Sequence, residues 1–298
     1  SKSLNHYNKE FFMNKVAIFL CACLAFGFTV NADPDELALL QEILQQTRGS
    51  WEADNTSFSE LSSFEQEQMI SLLPGISDME ALPEETITDE LVRDTEFQLQ
   101  CPPVRNQGNC GSCYSFAASA CYELRALANG QRVDLAEQDF MMKAKRIGPS
   151  GGCSGWWLDT SMNLLKNHGV AKESDCSYKA SESNCPAGTK AAYQISSWSR
   201  SSDKSTIQRA VHTGGVNVGF AVYSDFSYYK SGYYAYTNGY KRGYHAVAIF
   251  GYDSQGWIVR NSWGTGWGER GNFKILYSQM NNVIQFGTSF GGSYFITR

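Results

Sequence analysis

The sequence predicts an α+β chain in which helices come first and strands second. Between Cys113 and Asn167, small and apolar residues recur at helical spacing. Beyond Ala192 the apolar runs become short and aromatic, and Gly, Asn, Asp and Ser separate them, as in antiparallel strands. Unlike halves of this kind imply two subdomains with a cleft between them. At 298 residues, 42% hydrophobic and 18% charged, the chain is globular and large enough for one large or two medium domains.

Residues 1–12 are polar and precede Met13; no function is assigned to this extension. Met13-Asn14-Lys15, the apolar run Val16 to Val30 and the small residues before Asp33 have the build of a signal peptide, 13–32. Asp33-Pro34-Asp35-Glu36 starts a helix, and Leu37, Leu40, Ile43 and Leu44 give it an apolar stripe. Asn55-Thr56-Ser57 is a glycosylation sequon. Ser62 to Leu73 reads as a second helix, stopped by Pro74-Gly75. Residues 33–90 carry fifteen acidic side chains and one basic, whereas residues 91–298 carry fourteen acidic and twenty-one basic. This contrast predicts that long-range attraction helps to hold an acidic segment, 33–85, on a more basic body, 86–298, beside an apolar grip from its two helices, and that docking weakens on acidification. No dense Lys/Arg run is present, which argues against nucleic-acid binding.

Helices are expected from Ser112 or Cys113 to Ala128, from Val133 to Lys145, and from Leu158 to Asn167. Strands are expected at Val216–Tyr223, Gly232–Tyr236, His245–Tyr252, Trp257–Arg260, Gly271–Tyr277 and Ser293–Thr297. The turn Asp253-Ser254-Gln255-Gly256 would bring the strands of His245 and Asn261 together. Cys113, at a helix N-terminus, feels the positive end of the helix dipole, which favours thiolate over thiol. His245 and Asn261 follow it by 132 and 148 residues, in Gly-Tyr-His-Ala-Val and Asn-Ser-Trp-Gly. A thiolate, a base and an amide that orients the base are the parts of nucleophilic acyl transfer. Cys110-Gly-Ser-Cys113 could also be half a zinc site or a redox pair, but no second paired-cysteine motif follows.

Gln107-Gly-Asn-Cys-Gly-Ser-Cys113, Tyr244-His245-Ala246 and Asn261-Ser-Trp-Gly, in this order and at these distances, resemble the papain-like cysteine proteases, and within them the cathepsin B-like branch. The resemblance implies a papain-like two-subdomain fold. Its helical left subdomain would span about 102–192, and its antiparallel, β-barrel-like right subdomain about 193–298. Cys113 would be the nucleophile, His245 its base and acid, and Asn261 the orienting amide. Gln107 and the Cys113 amide would form the oxyanion hole, and Trp263 would shield the His–Asn bond. Gly155, Trp156, Trp157, Tyr244 and Phe290 would bind substrate. It further implies a Cys110–Cys153 disulfide and, because the family cysteine competing for Cys185 is replaced near Lys143, a Cys176–Cys185 disulfide. Cys101 and Cys121 pair by elimination only.

The chain departs from the family in three places. Trp156 replaces the second glycine of the cleft wall, Tyr114 replaces the common tryptophan after the nucleophile, and Cys176 to Ala191 is too short for the occluding loop of cathepsin B and contains no histidine. The expected function is therefore a cysteine endopeptidase, made as a zymogen and inhibited by its own propeptide. It would use no cofactor or metal and act on peptides and proteins as a monomer. It would be open to cystatin-type inhibitors and routed through the secretory pathway to a lysosome-like vesicle or outside the cell. The rival reading is a papain-fold binding protein whose cleft Trp156 has narrowed.

Overall fold

The computed structural model describes residues 34–74, 95–148 and 150–298. The extension, the signal peptide and the stretch Leu82–Leu91 expected to hold the maturation cut lie outside these residues. Helix α1 (Pro34–Thr47) carries Asp35 and Glu36 in its first turn and buries Leu40 and Leu44. Strand β1 (Trp51–Ala53) follows, then α2 (Ser63–Met69), which opens with a capping box between Ser62 and Glu65. Helix α2 ends at Met69, four residues short of the expected Leu73. Ile70 leaves the helical region, and residues 70–74 run extended across the body.

After β2 (Phe97–Gln98) comes α3 (Cys113–Ala128), the axis of the molecule. Its buried side includes Ala117, Ala118, Ser119, Ala120 and Cys121, small enough for helices and sheet to approach closely. Helix α4 (Glu137–Ile147) begins later than expected, because Leu135 is drawn into a β-bridge with Lys172. Helix α5 (Leu158–Asn167) keeps the expected bounds. The strand half adds β3 (Trp198–Ser201), α6 (Lys204–Val211), β4 (Val216–Tyr223), β5 (Tyr229–Tyr234), β6 (Lys241–Tyr252), β7 (Gly256–Arg260), β8 (Asn272–Leu276) and β9 (Ser293–Ile296).

The α+β class stands, but two details of the strand half differ from expectation. The strands run β1-β5-β8-β7-β6-β4-β9-β3 in one open sheet that does not close into a barrel, with β2 added on β6. One pair, β5 with β8, is parallel. Strand β1, from the acidic segment, extends the sheet at one edge, pairing antiparallel with β5 through Trp51 opposite Gly232. One apolar cluster lies within the sheet half and a second around α3, α4 and α5.

Disulfides join Cys110 to Cys153 and Cys176 to Cys185. Cys101 and Cys121 are both free thiols, which corrects the pairing by elimination. They face different ways. Cys101 packs with Ala120 and Leu124, whereas Cys121 Sγ donates to the Gly215 carbonyl at 2.8 Å, under the start of β4.

Candidate active site

Three elements meet at one buried seam. The first is the N-terminus of α3. Cys113 is fully buried, beside the backbone of Ala246, the residue after His245. The second is β6, where His245 stands opposite Phe220 of β4. The third is the end of β7. Asp253 Oδ1 accepts from the amides of Gln255 and Gly256 at 2.9 and 3.2 Å, forming the expected turn. That turn folds β7 back on β6 and delivers Asn261, whose Oδ1 lies 2.8 Å from His245 Nε2. An amide oxygen only accepts, so neutral His245 carries its proton on Nε2 and leaves Nδ1 as the basic nitrogen. Nδ1 has no hydrogen bond among the described residues. Trp263 covers this pair with its ring 4.7 Å from the imidazole, and Phe58 stacks on Trp263 at 3.8 Å.

Gln107 is fully buried and held from the β side. Its amide donates to Ser262 O at 2.9 Å, and its Oε1 accepts from Ser262 Oγ at 2.7 Å. This leaves Nε2 to donate to Cys110 O at 2.9 Å and to Met69 O at 3.1 Å. The Met69 carbonyl, from the acidic segment, thus takes one of the two protons of the Gln107 side-chain amide.

Residues 70–74 fill the cleft beyond. Leu72 N donates to Tyr244 O at 2.9 Å, Leu73 N to Trp156 O at 3.1 Å, and Trp157 Nε1 to Pro74 O at 3.2 Å. Leu72 is buried in an apolar pocket with Phe290, Ala246 and Gly219; Tyr244 stands edge-on to Phe290 at 5.0 Å. A Cβ on Gly219 would lie 2.7 Å from Leu72 and 2.8 Å from Phe290, so only glycine leaves the pocket its depth. Gly219 was not among the residues singled out, though a lone glycine inside a β-branched strand signals a close approach. The Ile70–Pro74 run was missed because its apolar residues read as a continued helix.

Trp156 does not narrow the cleft. Its side chain is 2% exposed and turns into the helical core, edge-on to Tyr114 at 5.8 Å, so only its backbone carbonyl faces the groove. The premise of a blocked groove fails on this orientation. Gly155, at φ +79°, marks the closest approach: a Cβ there would stand 1.7 Å from Ser71 O. Gly155→Ala should therefore lift the 70–74 segment. At neutral pH an added protease should cut that segment at least about tenfold faster than in the parent chain, because the clash adds to left-handed strain. An unchanged cutting rate would contradict this packing.

The ionisation state is the reverse of that expected from the helix dipole alone. Burial pushes the Cys113 thiol up to about 11, although hydrogen bonds from the Ala246, Ser71 and Tyr114 backbone oppose this. Burial likewise pushes His245 down to about 4, against the opposing effects of Asn261 and the Met69 carbonyl. With the cleft covered, the pair is neutral thiol and neutral imidazole. The long-range attraction expected from the charge contrast involves in part the acids of residues 75–94, which lie outside the described residues. The three ion pairs described all lie within residues 105–182. Acidic-segment carboxylates instead meet neutral donors, Glu65 from Asn109 at 3.0 Å and Glu52 from Ser231 at 2.7 Å.

Residues 92–289 match the model of the papain family cysteine proteases. Cysteine proteinase 1 of Entamoeba histolytica is 38% identical over 190 residues, covering 58% of this chain and 59% of that protein. The chain thus spans less than two thirds of that relative's length. The cathepsin B-like CP3 of Giardia intestinalis is 30% identical over 264 residues, covering 77% of this chain and 85% of that protein. In fold, procathepsin B S9 of Trypanosoma congolense superposes with a TM-score of 0.74 over 87% of this chain and 97% of that one, at 22% identity. The chain belongs to the papain family of cysteine proteases, on its cathepsin B-like branch.

Proposed function

We propose that this chain is the zymogen of a cysteine endopeptidase that hydrolyses peptide bonds through Cys113, His245 and Asn261. The observation that carries this reading is the convergence at one seam of a helix-terminal cysteine, a histidine whose Nε2 is held by Asn261, and the Gln107 amide. Once the cleft is open, Cys113 gives its proton to His245 Nδ1. The thiolate attacks the substrate carbonyl carbon, and the oxygen takes charge between Gln107 Nε2 and the Cys113 N–H. The imidazolium then protonates the leaving amine. His245 next takes a proton from water, which attacks the thioester and releases the acid and free Cys113.

Residues 33–85 are the inhibitory propeptide in this reading, and 86–298 the peptidase. Met69 presents its carbonyl to Gln107, but the residue filling the pocket, Leu72, follows that carbonyl. In a substrate attacked there it would precede the carbonyl, so the segment lies backwards and resists cleavage. Entry to the secretory pathway, action on peptides and proteins as a monomer, and sensitivity to cystatin-type inhibitors belong to the same reading.

Leu72 in its apolar pocket supports a preference for leucine-sized side chains two residues before the scissile bond. Neither Phe290 nor Gly291 is acidic, and burying an unpaired guanidinium is costly. A peptide library offered to the acid-matured chain should favour leucine over arginine there by at least about tenfold, a gap of about 1.4 kcal/mol. Arginine preferred at that position would refute the pocket, and no cleavage of any peptide would refute the peptidase.

A further inference from the structure

Tyr178 lies outside the seam, on the small loop closed by Cys176 and Cys185, yet its phenol reaches the turn that carries both Gln107 and Cys113. Its oxygen is 2.8 Å from the Gln107 carbonyl and 2.7 Å from Ser112 Oγ, and its ring stands edge-on to Phe116 at 4.8 Å. The loop is anchored: Tyr178 N donates to Glu173 Oε1 at 2.9 Å, and the disulfide begins two residues earlier.

The proton count fixes the directions. The Gln107 carbonyl can only accept, so the single phenolic proton goes there. Ser112 must then donate to the phenol oxygen, giving a chain from Ser112 to Tyr178 to Gln107. This has a consequence at the helix start. A serine just before a helix ordinarily turns its oxygen onto the first-turn amides. Ser112 makes no such cap, and its φ of −107° and ψ of 15° are not those of a capping residue. The Ser115 amide is met instead by the Ser112 carbonyl at 2.8 Å. Gln107 is clamped on opposite sides, by Ser262 from the sheet and by Tyr178 from the helical half.

We propose that Tyr178 is a positioning residue for the oxyanion hole: by holding both the Gln107 carbonyl and the Ser112 hydroxyl, it fixes the turn that carries the Gln107 side chain and the Cys113 amide. This rests on the peptidase reading above. Burial holds the phenol well above its usual range, so it stays a neutral donor at working pH.

The test uses the full chain, matured by acid, as Tyr178→Phe, Ser112→Ala, Gln107→Ala and the Tyr178→Phe/Gln107→Ala double variant. Losing a direct oxyanion donor costs about 100- to 1000-fold in kcat, and a residue acting through that donor should cost less. Tyr178→Phe should lower kcat roughly tenfold with KM within about twofold, and Ser112→Ala should do less. Tyr178→Phe should also weaken a peptide aldehyde, whose bound oxygen enters the hole, but leave the rate of Cys113 alkylation by iodoacetamide unchanged. In the Gln107→Ala background, Tyr178→Phe should have little further effect. An equal loss in both backgrounds, or alkylation falling in step with kcat, would reduce Tyr178 to a structural role and overturn the proposal. If Tyr178→Phe does not fold, Ser112→Ala with unaltered kcat and aldehyde affinity would overturn it too. A parent chain that hydrolyses peptides while Tyr178→Phe matches it defeats this proposal alone; an inactive parent chain defeats the peptidase reading and this with it.

Discussion

Cys113→Ala should lower kcat for peptide hydrolysis by at least about ten-thousandfold without unfolding the protein. Cys113 is fully buried, forms no disulfide and begins a long helix, so alanine removes one sulfur atom at a position where its helix propensity is good. The loss is large because the two-step route through a thioester ends, and a water molecule has no equivalent seat. His245→Ala should cost nearly as much, since both proton transfers pass through Nδ1. Asn261→Ala should cost less, about 10- to 100-fold, because the amide holds the ring without exchanging protons. Steady-state kinetics on matured variants, with thermal unfolding as the folding control, decides it. Normal turnover by Cys113→Ala would remove the assignment.

Acidification should loosen the 70–74 segment, and His245 is the group that senses it. In the docked state burial holds His245 at about 4, below its ordinary 6.5. A depressed histidine pKa means that the released state binds the proton more readily. The docking contribution of neutral His245 is therefore fully present above pH 6.5 and is lost as pH falls from there towards 4. Between pH 7 and about 4.5 this should weaken docking by some tens-fold. The buried anchors Leu40, Leu44, Trp51, Phe58, Met69 and Leu72 do not titrate, and each contributes about 1.5–3 kcal/mol. Release is thus graded, and added salt should matter less than pH. The check is hydrogen exchange at the Leu72 and Leu73 amides in the full-length Cys113→Ala chain, which cannot process itself. Corrected for the intrinsic amide rate, which itself falls with pH, the opening constant should rise by tens-fold across this range at constant salt. A flat pH profile, or one that responds mainly to salt, would contradict the role of His245.

What the sequence made legible was set by local signals. Helix α3 and its C-terminal stop, helix α5, and strand β4 follow from periodicity and from Asn129 and Gly169, which end their helices. The seam was legible because each of its residues sits in a distinctive short motif. What was not legible depends on long-range contacts. Residues 70–74 are extended only because Tyr244 and Trp156 offer carbonyls to their amides, so propensity alone continued the helix. The inward turn of Trp156 follows from Tyr114 beside it in the core. Whether Cys101 could reach Cys121 depended on which side of α3 each faces, and counting cysteines carries no such information.

The central claim is that Cys113 becomes a nucleophile when the segment over it lifts. The direct measurement is labelling of the full chain with an epoxide thiol inhibitor at pH 7 and after acid maturation, with the modified residue located by peptide mass. At pH 7 the covered thiol, held at about 11, should react slowly. After maturation one inhibitor should add per chain, on Cys113, with Cys101 and Cys121 unmodified. Labelling on another cysteine, or none on Cys113 in the matured protein, would contradict it.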